Sequence, residues 1–174
     1  MQEISNSIEI NNEYILIRIK ELLGDNLLES YEPYDLLTIK INKDKLIDLI
    51  VFLKDDEIIK LDFLTDICGI HYPHHKAEEI GVIYHLHSFI NNIRLRIKTF
   101  NSIETPNFPT LSHIYSSANW MERETFDFYG IIFEGHKDLR RILNMDEMNY
   151  FPMRKEYPLQ DATRTDKEDK YFGR

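Results

Sequence analysis

Apolar residues recur along this chain at two different spacings, one typical of helices and one typical of strands. Spacings of three and four predict a first helix that begins at Asn12 and ends at Gly24, because asparagine can cap a helix start and glycine a helix end. Residues 36–41 form a short strand candidate, and Asn42 caps a second helix with the same apolar spacing. The chain therefore begins with a helix, a strand and a helix.

The middle of the chain changes to the pattern of strands. Residues 58–67 predict one strand, rich in β-branched and aromatic side chains. Two further strands, over residues 80–90 and 93–100, predict a hairpin. Asn91-Asn92 between them tolerates the positive φ angles of a two-residue turn. We therefore expect these two strands to pair in antiparallel fashion.

The alternation within this hairpin assigns its residues to two faces. On a two-residue turn, Leu86 lies opposite Ile97 and Tyr84 lies opposite Thr99, and their common face is mainly apolar. Helices are expected to cover that face, because a sheet buries its apolar face against another layer. The opposite face is polar and carries His85, His87, Phe89, Arg94, Arg96 and Lys98.

A third helix is predicted over residues 111–129, where apolar residues again recur at spacings of three and four. Gly130 follows this stretch and is its expected C-cap. The apolar stripe covers only one side of the helix, so the charged residues beside it are expected on another side. These charged residues are Glu122, Arg123, Glu124 and Asp127.

Together these elements predict one α+β domain over residues 1–143. Its centre is a mostly antiparallel four-stranded sheet with helices packed on one face. Residues 144–174 lack an apolar stripe and end in a charged segment, so they cannot bury enough surface alone to offset the entropy of ordering them. We therefore predict that this segment is an extended, partner-binding tail.

The composition is that of a globular protein, with 43% hydrophobic and 29% charged residues. No apolar run is long enough to span a bilayer, and the first residues lack the basic and apolar parts of a secretory leader, so we expect a cytoplasmic protein. The net charge of −9 opposes non-specific binding to nucleic acid or to anionic lipid. Any membrane attachment is therefore expected through a partner.

The side chains offer little catalytic or metal chemistry. Cys68 is the single cysteine, which excludes an intrachain disulfide and an iron–sulfur cluster or cysteine-rich zinc site made by this chain alone. No nucleophile-elbow, phosphate-loop or zinc-hydrolase motif is present. Two histidines on one strand face could bind a metal, so a metal-binding protein is an alternative. The cations on that face oppose it, because they repel a divalent metal ion. The clustered histidines are His71, His74, His75, His85 and His87.

Residues 109–143 resemble a known protein family at many fixed positions. They contain Glu-Arg-Glu, then Asp-Phe-Tyr after two residues, then a histidine and an arginine at fixed spacing. This pattern is similar to that of the C subunit of the proton-pumping NADH:quinone oxidoreductase, respiratory complex I, and the similarity extends over residues 34–159. The residues that carry it are Glu122, Arg123, Glu124, Asp127, Phe128, Tyr129, His136 and Arg140, with Arg154 and Lys155 in a second run.

The resemblance implies a scaffold subunit that has no active site of its own but belongs to an enzyme complex. That complex passes electrons from NADH through FMN and iron–sulfur clusters to a quinone and translocates protons. These cofactors would lie on other subunits, so no catalytic, cofactor-binding or metal-binding residue is expected on this chain. The expected partners are hydrophilic-arm subunits, especially those of the quinone-reducing module, on the cytoplasmic side of the inner (plasma) membrane. The related subunit of a membrane-bound hydrogenase or formate hydrogenlyase is an alternative.

The charged residues of the family pattern are expected to be structural. We predict that one of the two glutamates accepts hydrogen bonds from Arg140 or Arg141, which would hold the third helix against the segment after it. A solvated helix face with an Arg123 to Asp127 pair is the alternative. Residues 149–151 depart from the family, which usually has a glycine-bearing turn and a histidine there, so the contacts of the second run stay open.

Overall fold

The computed structural model describes residues 10–157. Within this range the chain has an α+β fold, with a five-stranded mixed sheet and a separate two-stranded sheet. The helices are α1 (Asn12–Leu23), α2 (Leu46–Asp55) and α3 (Ala118–Tyr129). The strands are β1 (Leu27–Tyr31), β2 (Leu37–Ile41), β3 (Phe63–His71), β4 (Ile80–Ser88), β5 (Ile93–Asn101), β6 (Asn107–Pro109) and β7 (Ile132–Glu134).

The main sheet has the strand order β1-β2-β5-β4-β3. Only the central pair β2 and β5 is parallel, so the predicted mostly antiparallel sheet is confirmed. The prediction of four strands is wrong, because β1 adds an edge strand. Four of the five residues of β1 are exposed, and the strand therefore has no apolar alternation by which the sequence could reveal it.

Helix α1 begins one residue away from the predicted cap. Its N-cap is Asn11, whose side chain accepts a hydrogen bond from the backbone N–H of Tyr14 at 2.9 Å, and Asn12 is the first helical residue. The predicted end is confirmed, since Gly24 is the C-cap with φ 51°. Either asparagine satisfies the sequence pattern, and the backbone geometry selects the first.

The strand predicted over residues 58–67 begins later, at Phe63. The preceding residues form a turn because the side chain of Asp56 accepts hydrogen bonds from the backbone N–H groups of Ile58 and Ile59, both at 2.9 Å. Lys60 has a positive φ of 46°, which is incompatible with a continuous strand. The apolar run is therefore buried partly in this turn and partly in β3.

The predicted hairpin exists, but its register differs from the prediction by two residues. The connection is a four-residue turn over residues 89–92, and Leu86 lies opposite Leu95 while Tyr84 lies opposite Ile97. The face assignments remain correct, because side chains alternate with a period of two and a shift of two residues keeps each on its face.

Helix α3 is shorter than predicted. It begins at Ala118, and the apolar residues before it lie in turns instead of a first helical section. Tyr115 is buried there, and its hydroxyl donates a hydrogen bond to the backbone oxygen of Leu61 at 2.8 Å. The predicted end is confirmed, because Gly130 is a left-handed C-cap with φ 71° and its N–H donates to the oxygen of Phe126.

The core lies between the helices and one face of the main sheet. Ile15 and Ile19 of α1, Leu49 of α2 and Ile39 and Ile97 of the sheet are all fully buried in this single cluster. On the opposite face the side chains of β4 and β5 are half-buried or exposed. Within residues 10–157, no helix is long and apolar enough to cross a membrane.

Candidate functional site

Helix α3 buries charged side chains that the helical pattern predicts to lie away from its apolar stripe. Glu122 and Asp127 have no exposed surface, and Arg123 is 6% exposed. Burying a charge is unfavourable unless hydrogen bonds or counter-charges replace water. Both carboxylates receive such bonds, one from the segment before the helix and the other from the segment after it. The alternative of a solvated helix face is therefore wrong for these three residues.

Glu122 binds the segment that leads into α3. Its carboxylate accepts a hydrogen bond from the Thr110 hydroxyl at 2.5 Å and one from the backbone N–H of Leu111 at 2.6 Å. Burial raises the pKa of Glu122 to about 7, although the bonds from Thr110 and Leu111 lower it in part. This carboxyl group therefore changes its charge near neutral pH.

His136 is the buried neighbour of Glu122. Its Nε2 lies 4.0 Å from the Glu122 carboxylate and 3.1 Å from the backbone oxygen of Asn119. Its Nδ1 accepts a hydrogen bond from the N–H of Asp138 at 3.1 Å. Because one ring nitrogen accepts, the other carries the proton of the neutral imidazole and donates to Asn119. His136 thus connects α3 to the turn after β7.

Asp127 binds the segment that follows β7. Its two carboxylate oxygens accept five hydrogen bonds: from the backbone N–H groups of Ile142, Leu143 and Asn144, the Asn144 side chain and the Arg141 guanidinium, at 2.7–3.1 Å. Burial alone would raise the pKa of Asp127, but these bonds outweigh it and hold the pKa well below its usual range. Asp127 is therefore ionised throughout the physiological range.

Arg141 extends this network along the chain. It donates to the side chain and backbone oxygen of Asp127 at 2.8 and 2.9 Å, and to the backbone oxygens of Met148 and Tyr150. The predicted arginine pairing with a glutamate is wrong, because the acceptor is Asp127. Arg140 is exposed and pairs with Asp138 at 3.1 Å. The prediction that a charged network holds α3 against the segment after it is confirmed.

Arg123 and Glu124, the other two charged residues of the triplet, have different environments. Arg123 lies over the ring of Trp120, with its guanidinium carbon 5.0 Å from the ring centroid, and donates to the backbone oxygen of Arg140. It does not pair with Asp127, so that alternative is wrong. Glu124 is exposed and borders a groove between α3 and β3. Only Glu124 behaves as a solvated charge of the helix.

The residues at the end of α3 contact the segment over residues 151–157. The backbone oxygens of Phe128 and Tyr129 accept hydrogen bonds from the Met153 N–H at 3.2 Å and the Arg154 side chain at 2.7 Å. Lys155 donates its N–H to Nδ1 of the buried His71 at 3.0 Å. This part of the predicted tail therefore lies against the domain. Residues 158–174, also assigned to the tail, lie outside the described residues.

The groove between α3 and β3 has a volume of about 260 Å³. Its lining includes Cys68, whose thiol is a candidate nucleophile. Asp66 and Glu124 also border the groove. Burial raises the pKa of the Cys68 thiol, and the nearby Asp66 carboxylate raises it further. The neutral thiol is therefore favoured, and a neutral thiol is a poor nucleophile and metal ligand.

The clustered histidines do not converge on one point. His71 is buried under residues 151–157, whereas His85 and His87 lie on the polar face of β4. Nε2 of His85 accepts a hydrogen bond from the Arg96 guanidinium at 2.9 Å, which occupies the lone pair that a metal would need. One carboxylate, Asp66, lies 3.7 Å from His85 although the strand pattern did not predict it. In residues 10–157 no group of three possible ligands is placed to bind a metal.

Sequence reasoning missed Thr110 and Asn144, which complete the two carboxylate sites. They lie 12 residues before Glu122 and 17 residues after Asp127, so no helical periodicity connects them. Small hydroxyl and amide side chains in turns are common, and nothing distinguishes these two from others in the chain. Only the folded backbone brings them to their carboxylates.

Residues 39–163 match the family described as the 30 kDa subunit of respiratory-chain NADH dehydrogenase. Three relatives, each named as the C subunit of NADH-quinone oxidoreductase, show the similarity. That of Streptomyces coelicolor is 37% identical and covers 79% of this chain and 55% of the relative. That of Maricaulis maris is 41% identical, with coverage of 77% and 67%. That of Roseiflexus castenholzii is 34% identical, with coverage of 94% and 95%.

Two solved structures have a similar fold. A trypsin-resistant fragment of Nqo5 is 25% identical with a TM-score of 0.63, covering 72% of this chain and 98% of the fragment. A chain from the membrane-bound sulfane sulfur reductase, an archaeal respiratory membrane complex, is 26% identical with a TM-score of 0.69, covering 84% of this chain and 85% of that chain. This chain spans about half the length of the Streptomyces relative and nearly all of the Roseiflexus relative.

Proposed function

This chain belongs to the family of the 30 kDa subunit of respiratory-chain NADH dehydrogenase, and we propose that it is a scaffold subunit of an NADH-quinone oxidoreductase. The complex would pass electrons from NADH through FMN and iron–sulfur clusters to a quinone and translocate protons. The relatives named as the C subunit of NADH-quinone oxidoreductase are 34–41% identical to this chain, which supports the assignment to that complex.

The proposed role of this chain is to stabilise the complex without taking part in electron transfer. The observation that carries this proposal is the environment of Asp127. All five of its hydrogen bonds come from this chain's own residues 141–144, so its lone pairs are used in holding the fold together. A carboxylate saturated in this way is a structural element and a poor general base.

The proposed absence of cofactors on this chain rests on its chemistry. An iron–sulfur cluster needs several thiolates, and Cys68 is the only cysteine in the sequence. Its raised thiol pKa also disfavours the thiolate. We therefore assign FMN and the iron–sulfur clusters to other subunits of the complex.

The proposed partners are the other hydrophilic-arm subunits, especially those of the quinone-reducing module. In this arrangement the chain is peripheral, on the cytoplasmic side of the membrane, and reaches the membrane only through the complex. Large apolar side chains after β7 support a partner contact there, because exposed apolar groups commonly mark protein interfaces. The exposed ones among the described residues are Leu143, Met145, Tyr150, Met153 and Tyr157.

A subunit of a related membrane-bound respiratory complex is the second candidate. The fold similarity to the sulfane sulfur reductase chain, with a TM-score of 0.69, supports this alternative. That chain is 26% identical, whereas the relatives from NADH-quinone oxidoreductases reach 41%. The higher identity favours the oxidoreductase.

The proposal can be tested in a strain whose own copy of this gene is replaced by variants. Asp127→Asn is expected to lower the amount of assembled NADH-quinone oxidoreductase severalfold, because loss of a few kcal/mol of stability reduces protein abundance. Turnover per assembled complex should stay within about twofold of the wild type. Glu124→Gln, an exposed change in the same helix, is the matched control and should leave both quantities unchanged.

Two measurements separate the outcomes. Native gels of membranes give the amount of complex, and NADH oxidation coupled to quinone reduction gives its turnover. Full assembly of the Asp127→Asn variant with lost turnover would assign a catalytic role. Normal oxidoreductase activity in a strain lacking this gene would refute the proposed complex.

A further inference from the structure

The face of the main sheet opposite the helices has a distinct character, and we call it the outer face. Register places its members side by side across three strands: His85 lies opposite Arg96, His87 opposite Arg94, and Asp66 opposite His85. Lys98 continues the row of cations along β5. The outer face is thus defined by Asp66, His85, His87, Arg94, Arg96 and Lys98.

Among residues 10–157, the outer face carries three cations, Arg94, Arg96 and Lys98, and one carboxylate, Asp66. Lys40, at the margin, has two carboxylates in reach, Glu78 at 2.8 Å and Glu29 at 3.6 Å. In contrast, no carboxylate of residues 10–157 lies within 4.0 Å of the charged atoms of Arg94, Arg96 or Lys98. Among the described residues, three cations with no carboxylate within 4.0 Å therefore stand on alternate positions of one central strand.

This arrangement is unusual because the chain as a whole is acidic, with a net charge of −9. Alternate residues of a strand are about 7 Å apart, so neighbouring cations repel each other. Among residues 10–157, the carboxylates nearest this row are Asp66, which lies 3.7 Å from His85, and Glu29 and Glu78, which border a pocket with Lys98 but pair with Lys40. A surface of this kind is electrostatically complementary to a partner with clustered carboxylates.

The hairpin end of the outer face adds apolar surface. Phe89 and Ile90 are 65% and 69% exposed, and the ring of Phe63 lies 5.0 Å from that of Phe89. Arginine and aromatic side chains are enriched in protein–protein interfaces, and this surface presents both side by side. It is less suited to a membrane surface or to a nucleic acid, because the acidic remainder of the chain would be repelled by either.

We propose that the outer face binds an acidic surface of another protein subunit, with Arg94, Arg96 and Lys98 paired to its carboxylates and Phe63, Phe89 and Ile90 packed at the edge. This inference rests on the proposed function only in that the chain works inside a larger complex. It does not depend on which respiratory complex that is. The binding energy comes from matched charges on the strand and from apolar burial at the hairpin.

The first test uses the complex purified from membranes through a tag on this chain. A carbodiimide joins a lysine amine to a carboxylate in contact with it, and peptide mass spectrometry identifies the linked residues. We expect Lys98 to be linked to an aspartate or glutamate of another subunit. Lys20, exposed on α1, is the control and should not form such a link at the same reagent concentration. Lys98→Arg should remove the link while the complex remains assembled.

The second test changes the charge of the surface. The double variant Arg94→Glu with Lys98→Glu should lower the fraction of this chain retained in the complex at least tenfold. Lys20→Glu with Lys137→Glu makes the same change in net charge at exposed positions elsewhere and should leave retention within twofold. Arg94→Lys with Lys98→Arg should restore normal retention. The melting temperature of each full chain shows whether folding, and not docking, has changed.

Several results would overturn this inference. One is that Lys98 is linked only to carboxylates of its own chain. Another is that a lysine-acetylating reagent, used as a measure of accessibility, modifies Lys98 as fast in the complex as in the free chain. Binding of the free chain to phosphatidylglycerol vesicles that requires Arg94 and Lys98 would assign the surface to lipid instead. If Lys98 is linked to a subunit of a different respiratory complex, the inference holds and the proposed function fails. If the chain is in the oxidoreductase and Lys98 is freely accessible, the proposed function holds and this inference fails.

Discussion

Helix α3 contains two fully buried carboxyl groups whose pKa values are shifted in opposite directions. Glu122 near its start has a pKa raised to about 7, whereas Asp127 near its end has a pKa held well below its usual range. The two residues are five positions apart on one helix and both have no exposed surface. Burial by itself raises the pKa of each, so the depressed pKa of Asp127 must come from the hydrogen bonds that oppose burial.

The number and kind of hydrogen-bond donors explain the difference. Glu122 accepts two hydrogen bonds from neutral groups, and Asp127 accepts five, one of them from the charged Arg141. Bonds from charged donors are roughly twice as strong as neutral ones. The helix is therefore held to the following segment by an ionised group, and to the preceding segment by a group that is neutral at moderately acidic pH.

The largest expected effect is that of Asp127→Asn. An amide cannot accept all five bonds, and Arg141 is left without its counter-charge, so the free energy of unfolding should fall by about 3–5 kcal/mol. The folded-state pKa of Asp127 is depressed, so its contribution is present above pH 3.8 and is lost as the pH falls below that value. Urea titrations at several pH values measure both effects.

Asp138→Asn is the control for this change, because Asp138 is 51% exposed; its carboxylate pairs with Arg140 at the surface and lies 3.8 Å from the Arg123 guanidinium. It should alter the free energy of unfolding by less than about 1 kcal/mol. An equal loss of stability in the two variants would show that the five bonds to Asp127 are not special.

The second effect is the pH dependence that Glu122 introduces. A glutamate of the unfolded chain ionises near pH 4.5, but folded Glu122 keeps its proton to about pH 7, so the folded state binds more protons between these values. Stability must then fall as the pH rises through this window, by about 3 kcal/mol in total. Glu122→Gln has no such group. The free energy of unfolding of the wild type relative to this variant should therefore decrease from pH 4.5 to pH 8.

Parallel curves for the wild type and Glu122→Gln over this range would contradict the raised pKa. A wild type that gains stability relative to the variant with rising pH would show that the pKa of Glu122 is depressed, as that of Asp127 is. Either outcome would remove the contrast between the two ends of α3.

The third effect is that of Thr110→Val, which removes a donor from Glu122 at nearly constant volume. The Thr110 hydrogen bond lowers the pKa of Glu122, so its loss should raise that pKa further. The variant should also lose about 1–2 kcal/mol of stability above pH 7, where the carboxylate is charged. Carboxyl-carbon NMR gives the titration midpoint of Glu122. Thr105→Val, at an exposed threonine, should leave the midpoint unchanged.

The smallest effect is expected for Glu124→Gln. Glu124 lies between the two buried carboxylates in sequence but is exposed. Its substitution should change the free energy of unfolding by less than about 0.5 kcal/mol at any pH. A loss comparable to that of Asp127→Asn would mean that position in the family pattern matters more than burial.

Some features of the fold follow from local patterns and were predicted correctly. The alternation of apolar and polar residues assigned Tyr84 and Leu86 to the core face and His85 to the opposite face. Gly130 marked the end of α3, because a left-handed C-cap favours a residue without a side chain. The fixed spacing in residues 109–143 indicated the family to which the chain belongs.

Other features depend on contacts between distant residues. The exposed edge strand β1 has no pattern of its own, and the hairpin register depends on the length of a turn that two asparagines do not specify. The sequence identified the charged residues of α3 but not their partners. It predicted that a glutamate would bind an arginine, and the folded chain uses Asp127 for that purpose.

The sequence by itself therefore determined α1, α2, the two strands of the hairpin with their two faces, and the family, because each depends on short-range spacing. Tertiary structure alone decided the protonation states of Glu122 and Asp127. Their pKa values depend on donors that lie 11 to 17 residues away and on the exclusion of water from both sites. Helical periodicity distinguishes an apolar side from a polar side, but it does not specify which buried carboxylate meets an arginine and which meets a threonine.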